Sequence, residues 1–307
     1  MTQSPKLLIT GASGFTGQHA CNYFLKAGFD VIGVTRKNNL SDNEIKIESC
    51  DLTNKDEVIK LVKKTKPQYL LHLAGQNHVG HSWIDPISSL EANSMSTAYL
   101  LEAIRQEKLA CKIIIVGSAL QFDLADLSTL THPYSISKTL QVVIAQSWAY
   151  LYDMHIVIAK PSNLIGPGFS NGVCSIFAKK IIDMEGNNAE KILEVNNLNA
   201  RRHFVDVRDV ISAYEILLTK GKTGEIYDIA SSHSYSLEEV IKRFRTLTPV
   251  DFEVKTSISD KAEGKIETPL NKVLELGWKQ TIPMESSLKD ILEFYRQIPG
   301  QSKKNKY

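Results

Sequence analysis

The run Leu7-Leu8-Ile9-Thr10-Gly11-Ala12-Ser13-Gly14-Phe15-Thr16-Gly17 decides the fold. Its apolar start has the length of a short buried strand, and three glycines spaced three apart follow at once. Without side chains at Gly11, Gly14 and Gly17, backbone N–H groups can approach a pyrophosphate. A helix starting near Phe15 and Thr16 would point its positive end at the same place. The spacing differs from the usual G-x-G-x-x-G, but the physics is shared. The run therefore predicts a dinucleotide-phosphate turn between a first strand and a first helix.

Working outward, apolar runs at 7–10, 30–35, 45–50, 69–73, 113–116 and 155–159 read as short buried strands. The stretches 18–27, 55–64, 94–106 and 134–152 between them read as amphipathic helices. Alternation of this kind, without hairpin signals, predicts an α/β fold: a doubly wound parallel, Rossmann-like sheet with its ligand crevice at the carboxyl ends of the strands. Past Pro161 the rhythm loosens, with loops at 166–168 and 171–172, helices at 173–184, 210–218, 237–244 and 287–295, a turn at 196–199 and a strand at 226–229. The expected division is a nucleotide-binding domain over 1–165, with 203–230 returning to it. A smaller C-terminal α/β substrate domain, over 166–202 and 231–307, would close over the crevice. The end at Lys303-Lys304-Asn305-Lys306 reads as frayed.

Composition narrows the function classes. A formal charge of +2 over 307 residues gives no reason to invoke nucleic acid or an anionic membrane, and no apolar stretch approaches a membrane span. The N-terminus lacks the long apolar core of a signal peptide, so a cytoplasmic protein is expected. Cys21, Cys50, Cys111 and Cys174 are scattered with no CxxC pair, which predicts buried free thiols and no metal site.

Two further places carry chemistry. At the end of the second strand stands Thr35-Arg36-Lys37 where an acidic residue would hold the ribose 2′-hydroxyl of NAD. A guanidinium suits a 2′-phosphate instead, so Arg36 favours NADP(H), with NAD(H) as the alternative. Asp51-Leu52, at the end of the third strand, can set a carboxylate by the adenine amino group. In His132-Pro133-Tyr134-Ser135-Ile136-Ser137-Lys138, Tyr134 and Lys138 share a helix face at i,i+4, where an ammonium can stabilise a phenolate and lower its pKa from about 10. A phosphate-bearing cofactor beside a proton-exchanging tyrosine points to redox chemistry at a carbon bearing oxygen.

These residues resemble the extended short-chain dehydrogenase/reductase family and its NAD(P)-dependent sugar-nucleotide epimerases, dehydratases and reductases. The resemblance extends to His72-Leu73-Ala74-Gly75-Gln76-Asn77-His78-Val79, Ser82-Trp83, Asn93, Val116-Gly117-Ser118, the stretch 161–168, Arg202-His203-Phe204-Val205-Asp206-Val207-Arg208-Asp209-Val210, and Leu276-Gly277-Trp278 as entry to a C-terminal strand. It is nearest to GDP-6-deoxy-4-keto-mannose reductases and GDP-mannose 4,6-dehydratases. It implies that Ser118 and Tyr134 hydrogen-bond the reacting sugar oxygen, with Tyr134 the proton donor. Lys138 would hold the nicotinamide ribose and depress the tyrosine pKa. Leu73, Ala74 and Gly75 would line the cofactor. Gln76, Asn163 and Arg202 would meet a nucleotide-sugar substrate, the arginine at its diphosphate. A homodimer through helices 94–106 and 134–152 is implied as well.

A dehydratase needs an extra acid–base pair, which the family carries as Asp-Glu directly after the serine; here Ala119 and Leu120 follow Ser118. A 3,5-epimerase-reductase would want a cysteine beside that serine. NADPH-dependent reduction of a nucleotide-activated 4-keto-6-deoxy sugar, GDP-linked by preference, needs only Ser118, Tyr134, Lys138 and the cofactor. A 4-epimerase or a 4,6-dehydratase is the alternative, and a non-catalytic NADP-binding regulator the contrasting class. Departures from the family pattern lie at Phe122-Asp123, at Lys160 before Pro161, and in 255–268, where an Arg-Pro is missing. His72 reads as a packed residue, His78 and His81 as groups near the crevice, and Arg208 with Asp209 as a structural ion pair or helix start.

Overall fold

The computed structural model describes residues 4–36, 45–186, 189–256 and 268–298; Lys37, the stretch 257–267 and the tail at 303–306 lie outside the described residues. The chain runs β1 (Lys6–Thr10), α1 (Phe15–Lys26), β2 (Asp30–Thr35), β3 (Lys46–Ser49), α2 (Lys55–Thr65), β4 (Tyr69–His72), α3 (Val79–Ile84) and α4 (Pro86–Leu90). A π-helical turn, Glu91–Met95, leads directly into α5 (Ser96–Gln106), followed by β5 (Lys112–Val116), α6 (Pro133–Leu151) and β6 (Ile156–Pro161). Then come β7 (Asn163–Ile165), α7 (Val173–Glu185), β8 (Ile192–Val195), β9 (Arg201–Asp206), α8 (Val207–Lys220) and β10 (Ile226–Ile229). The remainder is β11 (Ser234–Ser236), α9 (Leu237–Leu247), β12 (Glu253–Thr256), α10 (Asn271–Glu275) and α11 (Met284–Arg296).

Seven strands form the main sheet in the order β10-β6-β5-β4-β1-β2-β3. The register within β1 to β6 is parallel throughout, as in Leu8 opposite Ile32 and Leu70, and Ile114 opposite Val157. The order reverses between β1 and β4, so the carboxyl ends of these strands form the ligand crevice of a doubly wound sheet. Period-two alternation buries both faces. Leu8, Val34, Leu70, Ile113, Ile115, Ile156 and Ile158 pack with Val58 and Val62 of α2, Leu100, Leu101 and Ile104 of α5, and Val142 and Ala145 of α6. Leu7, Ile9, Val31, Leu71 and Val157 point the other way and are equally buried. Each such side chain stabilises the fold by about 1.5–3 kcal/mol, which is why a strand of five residues suffices for β1.

Helix ends follow local chemistry. Asn54 caps α2 by accepting from the backbone N–H groups of Asp56 and Glu57. Pro133 occupies the first turn of α6, where its missing N–H costs little, and the His132 ring caps the helix through Ser135 N–H at 3.0 Å. Ser236 and Glu239 form a reciprocal capping box on α9.

Two compact units divide the chain: Met1–Pro161, Ile211–Asp228 and Glu275–Trp278 in one, and Ser162–Val210, Ile229–Leu274 and Lys279–Tyr307 in the other. The second has its own core, in which Phe177, Ile181, Phe204, Phe244, Leu288 and Ile291 pack together. Its sheets are small: β11-β9-β7 and β12-β8.

The structure departs from the sequence expectations chiefly in this second unit. The short strands β7, β8, β9, β11 and β12 were not anticipated, because three to six residues with polar edges carry no readable period. The stretch 276–278 is a turn after α10, with Gly277 at φ +96°, and not a strand entry. Arg208 pairs with Asp206 (2.8 Å) and Asp290 (2.7 Å), while Asp209 accepts from the Thr281 hydroxyl at 2.6 Å and from Ile282 N–H at 2.9 Å. All four cysteines are buried free thiols. Among the described residues no helix is long and apolar enough to cross a membrane.

Candidate active site

The glycine turn closes just past β1. Gly11 adopts φ +70°, and a Cβ there would lie 2.8 Å from Ala74 N, so both the backbone angle and the neighbour demand glycine. A Cβ on Gly17 would run into the Gly11 carbonyl oxygen. Gly14 is the N-cap of α1 and offers no capping side chain, leaving the first N–H groups of a twelve-residue helix to an anion. Phe15 and Thr16 form its first turn. A turn that excludes side chains, below an uncapped helix start, fits a dinucleotide pyrophosphate.

The adenosine end is set by β2 and β3. Arg36 follows β2 and is exposed. The N–H and hydroxyl of Thr53, at 3.0 and 2.8 Å from one Asp51 oxygen, hold the Asp51 carboxyl below the usual carboxylate range, with a smaller contribution from the Arg36 charge. Asp51 therefore stays ionised, with its second oxygen able to accept elsewhere. Leu52 is half-buried beside it. At the end of β2 the Thr35 hydroxyl is buried with no hydrogen-bond partner among the described residues.

Leu73, Ala74, Gly75 and Gln76 leave the carboxyl end of β4. Asn93, fully buried on the π-helical turn, holds them: its Oδ1 accepts from Gln76 N–H at 2.8 Å, and its Nδ2 donates to Gln76 O at 3.0 Å and Ser137 Oγ at 2.8 Å. A Cβ on Gly75 would stand 2.5 Å from Asn93 Oδ1, which explains the glycine. The π turn widens the helix at the point where it must meet both the β4 loop and α6. The amphipathic pattern of this helix starts at 94, so nothing in it marks Asn93 as the clamp.

Ser118 follows β5, and Tyr134 and Lys138 lie one turn apart on α6. Tyr134 is 7% exposed, with its own N–H on Ser82 Oγ at 3.1 Å. Burial raises the phenol above its ordinary 10, and a hydrogen bond with Ser118 opposes that rise. Ser118 Oγ also accepts from Leu120 N–H at 3.1 Å. Lys138 is 7% exposed, and burial lowers its ammonium to about 7. Its Nζ donates to Val116 O at 2.6 Å and Gln141 Oε1 at 2.5 Å. The expected lysine-induced drop in the tyrosine pKa is thus not seen; desolvation dominates, and the ammonium faces Val116 and Gln141.

Asn163 and Arg202 belong to the second unit. Asn163 on β7 pairs with Phe204 on β9, and its Nδ2 donates to His203 O at 3.1 Å. Arg202 on β9 is half-buried and donates to Arg201 O at 2.6 Å. His78 is the N-cap of α3, accepting from His81 N–H at 3.0 Å. His72 is packed between Thr10 and Thr97. Thr10, Thr97 and Gln141 were not singled out from the sequence; the legible signal was a glutamine on the stripe of α6 that otherwise buries Val142, Ala145 and Ala149.

With this geometry in place, residues 7–230 match the NAD dependent epimerase/dehydratase family. The chain belongs to that family. The epimerase/dehydratase family member described here is similar to GDP-6-deoxy-D-mannose reductase of Pseudomonas aeruginosa, at 27% identity over 95% of this chain and 97% of the reductase. It is also similar to dTDP-D-glucose 4,6-dehydratase of Mus musculus, at 26% identity over 95% of this chain and 88% of the dehydratase. A solved structure of RMD from Pseudomonas aeruginosa, complexed with NADPH, superposes with a TM-score of 0.82 at 26% identity, covering 95% of this chain and 99% of that one. This family member is an NAD(P)-dependent enzyme.

Proposed function

We propose that this enzyme reduces a nucleotide-activated 4-keto-6-deoxy sugar, GDP-linked by preference, with NADPH. The observation that carries the reading is the Ser118–Tyr134–Lys138 set beside the glycine turn, with Ala119 and Leu120, both exposed and apolar, directly after Ser118. Neither side chain can move a proton, so the elimination of a 4,6-dehydratase has no acid–base pair there. The similarity to GDP-6-deoxy-D-mannose reductase supports the same choice.

NADPH, when bound, supplies a hydride to the carbonyl carbon. Gly11, Gly14 and Gly17, with the first turn of α1, hold its pyrophosphate. Arg36 meets the 2′-phosphate. Asp51 takes the adenine amino group, and Leu73, Ala74 and Gly75 line the cofactor. Tyr134, protonated throughout the neutral range because burial raises its pKa, gives its phenolic proton to the carbonyl oxygen as charge develops there. Ser118 donates to the same oxygen and orients it. The Lys138 ammonium holds the nicotinamide ribose and, once that contact forms, stabilises the phenolate left behind. Gln76, Asn163 and Arg202 contact the sugar nucleotide, the guanidinium at its diphosphate.

The test is NADPH consumption with GDP-4-keto-6-deoxy-mannose, made in situ, beside its dTDP- and CDP-linked equivalents. Turnover with the GDP substrate is expected to be fastest. If all three are left unreduced but isomerised or dehydrated, the assignment moves to an epimerase or dehydratase. Arg36→Asp is expected to move the NADPH/NADH preference in kcat/KM at least about tenfold toward NADH, as charge-assisted contacts to one phosphate are lost and repulsion is gained. An unchanged ratio refutes the role of Arg36.

A further inference from the structure

An ammonium removed from water must have its donors met. Lys138 has three N–H groups, and two are used by Val116 O and Gln141 Oε1. Val116 is fixed by the backbone of β5. Gln141 is fully buried, three residues further along α6, and an amide presents either a donor or an acceptor depending on how it is turned.

Thr97 of α5 fixes that choice. Its hydroxyl donates to Asn93 O at 2.7 Å, so its oxygen only accepts from its other neighbours. Gln141 Nε2 donates to it at 2.9 Å, and His72 Nε2 lies 2.9 Å away. His72 must then carry its proton on Nε2. Burial holds the ring neutral, at about 3, so Nδ1 is an acceptor and takes the Thr10 hydroxyl at 2.7 Å. Thr10 Oγ1 accepts in turn from Ala74 N–H at 3.1 Å. Each of these bonds runs from a donor to an acceptor, and turning Gln141 round would set its N–H₂ against the ammonium and its oxygen against a lone pair.

We propose that Gln141 is a positioning residue for Lys138: locked end-on by Thr97, it clamps the ammonium between β5 and α6 and leaves the third N–H for the reacting side. The same bonds reach Thr10 and Ala74, which flank Gly11, so the glycine turn and the ammonium share one polar network. This inference rests on the reading of Tyr134 and Lys138 as the proton-handling pair. The titratable groups near Lys138 are His72 from β4 and Tyr134 one turn back on α6. Val116 from β5, Thr97 from α5 and Asn93 from the π turn carry no charge. His72 does not titrate near neutrality, so the alkaline limb of kcat against pH reads the Lys138–Tyr134 pair.

The experiment compares Gln141→Leu, Gln141→Glu and Tyr134→Phe in the full chain. Gln141→Leu is expected to lower kcat about ten- to a hundredfold, the worth of one hydrogen bond to a charged group. Its alkaline limb should move down by about one pH unit, because the ammonium has lost an acceptor. Gln141→Glu should move the limb up, since a carboxylate favours the charged amine. A purely structural glutamine would lower the melting temperature and leave the limb in place. A folded leucine variant with wild-type kcat and limb overturns the proposal, as does a glutamate variant whose limb stays put. If the leucine variant does not fold, the glutamate variant decides by the same shift. An active Tyr134→Phe would instead bring down the underlying reading, whereas an inactive one beside unaffected Gln141 variants removes only the positioning role.

Discussion

Tyr134→Phe is expected to lower kcat about a thousandfold, within the range for loss of a positioned general acid, and to leave NADPH affinity nearly unchanged. Phenylalanine keeps the ring that fills the buried site on α6, and the backbone N–H on Ser82 is untouched. Only the hydroxyl and its bond with Ser118 disappear. The cost to stability is therefore about 1 kcal/mol, too small to explain a dead enzyme by unfolding. Single-turnover NADPH oxidation and a fluorescence titration with NADPH separate the two effects. A variant with the wild-type rate contradicts the mechanism.

Gly17→Ala is expected to damage both fold and cofactor binding. Alanine at an interior helical position gains about 1 kcal/mol in propensity over glycine. Here its Cβ would collide with the carbonyl of Gly11 and stand 2.8 Å from the Ala12 Cα, both main-chain atoms that cannot step aside without moving the turn. Overpacking against backbone costs about 3 kcal/mol or more and outweighs the propensity. Thermal melting should fall, and NADPH affinity should drop at least about tenfold as the N–H groups of the turn lose their aim. Unchanged melting and affinity would mean that the turn does not hold the dinucleotide.

How far the sequence reached depended on the length and periodicity of each element. The strand at 30–35 falls where its apolar run predicts, since a strand buried on both faces needs no polar alternation, whereas the one at 226–229, at the sheet edge, alternates buried Tyr227 and Ile229 with half-buried Ile226 and Asp228. The helix carrying Tyr134 and Lys138 was legible because nineteen residues hold one buried stripe and Pro133 marks its start. The π turn was not, because an inserted residue leaves no mark in a 3.6-residue pattern. Strands such as β7 and β11, three residues each, were too short to declare themselves. At the site, the spacing of Gly11 and Gly17 announced a tight turn, whereas the partners of Lys138 depend on which buried dipoles face it. Gln141, Thr97 and His72 come from three elements distant in sequence, and their hydrogen-bond directions exist only once those elements pack.

The most direct test of the account is the fate of a labelled hydride. The enzyme would be supplied with NADPH carrying deuterium at the transferable position of the nicotinamide C4, together with GDP-4-keto-6-deoxy-mannose, and the product read by NMR and mass spectrometry. The account predicts deuterium at the sugar C4, gained in step with NADPH consumed. A product formed with no deuterium at C4 and no net loss of NADPH would contradict it.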